Sequence, residues 1–306
     1  MEEVHEADEA CPARATDHPV APGDVVAAPT RRAAEQRMYR ALVDYACGKR
    51  ETAATPDSWG VAAPELLATW RALEEKYGYG GEPPEPAPQA DGGSWRGNGG
   101  RSLDATSNAE LDRGYARIRE IGENVIAPAI LRVAAEDPTR TLAGFDRRIK
   151  GIDRLKEKVF DRMRSKGRSP DEALAQVSDV VRFTFVYGET TYADGVRSDL
   201  QRLEAIGFTQ LKRRNTWSSD QYKGINTQWQ EPQSGVRFEV QFHTEASLEA
   251  KELTHQAYER IRTMTESTSA TDRETADLQR FQFRVNSVTP MPPGVPDIDD
   301  YPPGGH

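Results

Sequence analysis

The nine residues VRFEVQFHT, from Val236 to Thr244, constrain the fold more than any other stretch. Val236, Phe238, Val240 and Phe242 alternate with Arg237, Glu239, Gln241 and His243. A period of two belongs to a β-strand with an apolar face toward a core and a polar face opposite. Pro232-Gln233-Ser234-Gly235 precedes it as a turn, and residues 225–230 supply a partner, so the pair reads as a hairpin. VVRFTFVY, residues 180–187, is β-branched and aromatic and reads as another strand, and Phe208–Leu211 as a further one.

Helical spacing surrounds these strands. Leu111, Tyr115, Ile118, Ile121 and Val125 mark one helix, with Ser107 or Asn108 as N-cap and Pro128 kinking or ending it. A second runs from about Ile152 to Ser165, and Ser169-Pro170 opens a third. Val196, Leu200, Leu203 and Ile206 line one face of a fourth, stopped at Gly207; two more cover about 246–263 and 272–284. Helices flanking a small, partly antiparallel sheet predict an α+β domain.

With 37% hydrophobic and 29% charged residues over 306 positions, and a mean hydropathy of −0.74, sizeable stretches are expected to stay unburied. The division expected is a disordered acidic N-terminal segment at 1–35, a short helical segment at 36–80 (around Met38–Cys47 and Glu65–Tyr77), a Pro/Gly-rich linker at 81–103, the folded domain at 104–288 and a disordered tail at 289–306. A net charge of −9 argues against a nucleic-acid binder except through a local patch, such as Lys212-Arg213-Arg214. Cys11 and Cys47 make neither a disulfide framework nor a metal quartet. No apolar run reaches membrane length and the acidic start lacks a signal's apolar region, so a cytoplasmic protein is the default expectation; secretion or delivery into other cells is the alternative suggested by the tail-plus-linker layout. No histidine is followed by aspartate, against a His-Asp metal hydrolase.

Four segments carry candidate chemistry. Glu239, Gln241 and His243 share one strand face; this is either an ordinary wetted face or a carboxylate, amide and imidazole in register to orient a hydroxyl. Asp179 leads the neighbouring strand, and two carboxylates so placed can share one Mg²⁺ with water and phosphate oxygens. Arg148, Lys150, Arg154 and Lys158 form a cationic row, solvated or turned toward a triphosphate. Tyr222, ahead of Lys223-Gly224 and Asn226, is either a surface tyrosine in a turn or a platform for a base.

In this order, from Arg148 to Tyr258, the segments resemble the synthetase domain of the RelA/SpoT family, the alarmone synthetases. The family's Arg-x-Lys-x-x-x-Ser-x-x-x-Lys motif reads Arg148-x-Lys150-x-x-x-Arg154-x-x-x-Lys158 here, with Arg for Ser. Its Asp-led strand matches Asp179, and its Gly-Tyr-x-x-x-His loop matches Tyr222 with Asn226 in place of His. Its Glu-x-Gln-x-Arg-Thr strand reads Glu239-x-Gln241-x-His243-Thr244, and its helical histidine matches His255. These variants resemble the actinobacterial ATP:nucleotide 3′-pyrophosphokinases and the toxic small synthetases.

The resemblance implies a nucleotidyltransferase-like mixed β-sheet flanked by helices. It implies Mg²⁺-dependent transfer of the β,γ-pyrophosphate of ATP to the 3′-hydroxyl of a purine nucleotide, giving (p)ppGpp- or (p)ppApp-type products and AMP. Asp179 and Glu239 would hold the metal and, with Gln241, form the catalytic set; Arg148, Lys150, Arg154 and Lys158 would bind ATP; Tyr222, Lys223, Asn226, His243 and His255 would bind the acceptor. Two alternatives stand beside it: a toxin that modifies the tRNA 3′ end, with a neutralising antitoxin as partner, and a catalytically inactive nucleotide-binding module. No hydrolase or regulatory domain of the family is recognisable, so a one-way synthetase is expected.

Overall fold

The computed structural model describes residues 57–77, 93–97, 100–264 and 268–302. The segment 1–35 and the helical pattern at Met38–Cys47 lie outside them. The chain divides into two compact units, one formed by Met1–Tyr79 with Glu249–Thr289, the other by Gly80–Leu248 with Pro290–His306. The domain expected at 104–288 is therefore split, its last two helices grouping with the helix that precedes the linker.

In chain order the elements are α1 (Asp57–Tyr77), β1 (Trp95–Arg96), β2 (Ser102–Leu103), α2 (Ala105–Ile121), α3 (Ala127–Ala135), β3 (Thr141–Ala143), α4 (Ile152–Lys166), α5 (Pro170–Ala175), β4 (Arg182–Tyr187), α6 (Tyr192–Ala205), β5 (Thr209–Asn215), β6 (Ile225–Gln230), β7 (Arg237–Thr244), α7 (Glu245–Thr263) and α8 (Ser269–Ser287). The central sheet has five strands in the order β3-β4-β7-β6-β5, with β4 and β7 parallel and the other pairs antiparallel. This is the α+β architecture with a mixed sheet that the sequence predicts.

Register divides the sheet into two faces. Phe183 and Phe185 lie opposite Val240 and Phe242, and Ile225 and Trp229 opposite Phe242 and Phe238, so these side chains share one apolar face. Ile130 and Val133 of α3 and Val196, Leu200 and Leu203 of α6 pack in the same core. Each such large side chain contributes about 1.5–3 kcal/mol by leaving water. Arg182, Thr184, Asn226, Gln228, Glu239 and Gln241 fall on the opposite face by the same register. A second core joins Trp95 and Leu103 to Leu111, Leu155, Val159 and Leu174.

The structure corrects several expectations. Part of the linker is structured: β1 and β2 pair, Trp95 is 3% exposed, and its Nε1 donates to Asp153 Oδ1 at 2.9 Å. Asp104, not Ser107 or Asn108, caps α2, accepting from the Ser107 backbone N–H. Pro128 does not end the helix: a π-turn over Gly122–Ile126 joins α2 to α3, and Pro128 sits in the first turn of α3, where a missing N–H costs little. Gly122 allows this turn to lie against β4, because a Cβ there would come 2.8 Å from Val181 Cγ2.

The tail expected to be disordered is ordered through Pro302. Val295 and Ile298 enter the sheet core, and Arg213 and Tyr301 exchange backbone hydrogen bonds of 2.7 and 3.0 Å. Its regular structure is a single 3₁₀ turn, Val295–Asp297, and the edge strand β5 offers it further backbone partners. In the smaller unit, Leu66, Leu73, Leu253, Leu278, Phe281 and Val285 form a separate helical core. Among the described residues no helix is long and apolar enough to cross a membrane.

Candidate active site

A backbone ladder assembles the site. Lys150 N donates to Val180 O at 2.8 Å, Arg182 N to Arg148 O at 2.8 Å, and Glu239 N to Val181 O at 2.9 Å. The Arg148–Lys150 segment is thereby fixed beside the entry to β4, and that entry beside β7. Gly151 then starts α4, whose residues Arg154, Lys158 and Arg162 recur at every fourth position.

Asp179 sits between two ammonium groups. Lys150 Nζ donates to its Oδ2 at 2.5 Å and Lys158 Nζ to its Oδ1 at 2.7 Å. Burial pushes the carboxyl up, but the two lysines overcome it and hold Asp179 well below the usual carboxylate range. Lys150 moves the other way: burial lowers it more than its attraction to Asp179 raises it. Arg162 is also lowered, first by burial, with Asp179 opposing and Arg168 and Arg237 adding to the shift. Arg162 therefore belongs to this cationic cluster; continuing the four-residue spacing of α4 by one step finds it.

Arg182 is the second residue that sequence reasoning passed over. It faces Glu239 across the β4–β7 ladder and contributes to lowering Lys150, so it connects the Asp179 cluster with β7. The alternation of VVRFTFVY puts it on the polar face. On β7, Gln241 Nε2 donates to Glu239 Oε1 at 2.7 Å, which fixes one carboxylate oxygen.

The expected acceptor residues form a tighter group than a stacking platform requires. The Tyr222 hydroxyl donates to Asn226 Oδ1 at 2.9 Å and lies 2.8 Å from His243 Nε2, with its ring edge-on to the imidazole at 5.4 Å. Burial, then the nearby Glu239 charge, raise this phenol well above its ordinary value. A Cβ on Gly224 would come 2.8 Å from His243 Cε1, so the loop must carry glycine to close on the histidine.

Other predicted residues are placed differently. Lys223 Nζ donates to Trp217 O at 2.8 Å. Arg154 pairs with Glu157, 3.7 Å away along α4. Arg148 turns back, its guanidinium 4.4 Å over the Phe145 ring and Nη1 donating to Phe145 O, while its buried Nε has no hydrogen-bond partner among the described residues. His255 is exposed on the part of α7 that belongs to the smaller unit. In the Lys212-Arg213-Arg214 run, Arg213 Nε donates to Asp299 O and Arg214 Nη1 to Asp300 Oδ2, which commits two of the three cations to the C-terminal segment.

The chain is similar to solved small alarmone synthetases. Small alarmone synthetase 1 from Bacillus subtilis is 15% identical at a TM-score of 0.40, over 59% of this chain and 92% of that one. The same protein bound to its product pppGpp is 15% identical at 0.38, over 58% and 94%. A GTP pyrophosphokinase family protein from Streptococcus pneumoniae is 12% identical at 0.40, over 60% and 91%. No family model and no curated protein matches the chain.

Asp179 and Glu239 are the carboxylates expected for a metal. Both Asp179 oxygens are taken by lysines, and no group of three or more His, Cys, Asp or Glu side chains able to hold a metal occurs among the described residues. This donor set fits a Mg²⁺ that keeps water and phosphate ligands, not a cage built by protein alone.

Proposed function

We infer that the chain transfers the β,γ-pyrophosphate of ATP to the 3′-hydroxyl of a purine nucleotide. The observation that carries this reading is the Lys150–Asp179–Lys158 clamp, set one strand from the Glu239–Gln241 pair. A lysine that holds a carboxylate oxygen can hold a phosphate oxygen by the same charge-assisted bond. A triphosphate entering the cluster would draw Lys150, Lys158 and Arg162 toward its oxygens and free Asp179. Mg²⁺ bound with the triphosphate would be held by Asp179 and Glu239 and would neutralise charge on the β- and γ-phosphates.

Glu239 takes the proton of the acceptor 3′-hydroxyl, with Gln241 keeping the carboxylate in place. The 3′-oxygen bonds to the β-phosphorus, the bond from that phosphorus to the α,β-bridging oxygen breaks, and AMP leaves with it. Positioning and charge stabilisation are the main demands of such a transfer. Tyr222, Asn226 and His243 form the acceptor side. The commitment of Arg213 and Arg214 to the C-terminal segment favours a nucleotide over a tRNA acceptor.

The test is incubation of the protein with γ-labelled ATP, Mg²⁺ and, in turn, GDP, GTP, ADP, ATP and bulk tRNA. Label in a nucleotide product supports the reading; label confined to tRNA would give the acceptor to RNA, and none in any acceptor would remove the activity.

A further inference from the structure

The loop of residues 216–224, between β5 and β6, carries Tyr222 and Gly224 and is neither helix nor strand. Its neck closes on Gly224 O, which accepts from Thr216 N at 3.0 Å and from Thr216 Oγ1 at 2.7 Å. Trp217, 1% exposed, fills the base of the loop. Three polar groups of Trp217 are committed there. Nε1 donates to the Tyr192 hydroxyl at 2.9 Å, O accepts from Lys223 Nζ at 2.8 Å, and N donates to Asn215 Oδ1 at 3.2 Å. The Lys223 bond ties one arm of the loop to the other, one residue from Tyr222.

Asn215, the last residue of β5, joins this base to the C-terminal segment. Its Nδ2 donates to Val295 O and to Ile298 O, both at 2.9 Å, and its backbone N donates to Asp300 Oδ1 at 2.8 Å. A side-chain amide has two hydrogens to give and an oxygen to receive, and Asn215 uses both hydrogens and the oxygen. Aspartate has this shape without the donors, and alanine has neither donor nor acceptor. A run of bonds thus leads from residues 295–300 through Asn215 and Trp217 to Lys223, beside Tyr222. All of these residues belong to the larger unit.

We propose that the C-terminal segment braces the loop that receives the acceptor nucleotide, and that Asn215 is the positioning residue through which it does so. The proposal rests on the pyrophosphokinase reading. A loop that must be ordered as its ligand binds loses affinity by the cost of that ordering, and a loop already held does not. Asn215 supplies the hold, with the Val295 and Ile298 carbonyls on one side and Trp217 on the other. The donor side is attached separately, by the Lys150–Val180 and Arg182–Arg148 backbone bonds, which include no residue of this run. Loosening the brace therefore acts on the acceptor and spares ATP.

Asn215→Ala removes the tie on both sides. The expected result is an acceptor KM raised about tenfold, the scale of one hydrogen bond lost with its partner left unpaired, and a KM for ATP within about twofold of the parent. Asn215→Asp keeps an oxygen for Trp217 N but sets a carboxylate against two carbonyls. It should release the C-terminal segment and raise the acceptor KM in the same direction. An unchanged acceptor KM, or an equal rise in both KM values, overturns the proposal.

Hydrogen exchange followed by mass spectrometry gives a readout independent of turnover. In Asn215→Ala the backbone amides of residues 216–224 and 295–301 should exchange about tenfold faster or more, while those of β4 keep the parent's rate. Asn215→Asp carries the same readout should Asn215→Ala not fold. Loop amides that keep the parent's rate, or an acceleration equal across the sheet, overturn the brace whether or not any nucleotide is modified. A parent that modifies no nucleotide counts against the pyrophosphokinase reading alone, and the exchange rates still decide the brace.

Discussion

Asp179 holds two lysines apart, and its side chain is 17% exposed. Its folded pKa is depressed below an unfolded value of about 3.9. The stability this contributes is therefore complete above that value and is lost as pH falls through the folded pKa. Asp179→Asn, which leaves two ammonium groups facing a neutral amide, should lower stability at pH 7 by about 1–3 kcal/mol. The gap to the parent should begin to narrow below about pH 4 and close only as pH falls through the folded pKa; urea titrations across that range measure it. Lys150→Ala or Lys158→Ala leaves the carboxylate one partner, so folding should survive while the KM for ATP rises, a cost of about 1.5–3 kcal/mol per lost charged bond. Unchanged ATP kinetics in both would make the row a structural brace. Tyr222→Phe keeps the ring but removes the hydroxyl that joins His243 Nε2 to Asn226 Oδ1, so the acceptor KM should rise without a matching change in the KM for ATP.

Among the elements, β7 was the most legible because period-two alternation and a preceding turn are local signals; its register with β4 is not, since nothing in either strand names its partner. Arg182 became visible as a site residue only once that pairing was known. The basic row could be read from its spacing, but its attachment to Asp179 depends on the ladder from Lys150 to Val180. Likewise, residues 93–97, 100–103 and 290–302 read as linker and tail because their order comes from contacts distant in sequence. Trp95→Ala should cost about 3–5 kcal/mol in chemical denaturation, as for other buried aromatics, whereas an unstructured linker would tolerate it. Deleting 290–306 should lower Tm by several degrees, because β5 loses its Tyr301 partner and the core loses Val295 and Ile298.

At the scale of the whole molecule, a chain of net charge −9 gathers Lys150, Lys158, Arg162 and Arg182 around one carboxylate and sets Glu239 on the adjacent strand. Such a local concentration of cations in an acidic protein suits a compact polyanion better than a long nucleic-acid backbone. The most direct measurement of what this cluster does is the product balance with ATP, Mg²⁺ and a purine nucleotide, followed by mass spectrometry in the parent and in Glu239→Gln. The account predicts one AMP for each acceptor that gains two phosphates, and loss of both products in the variant with its fold intact. ADP or inorganic phosphate as the ATP-derived product, or undiminished transfer in Glu239→Gln, would contradict it.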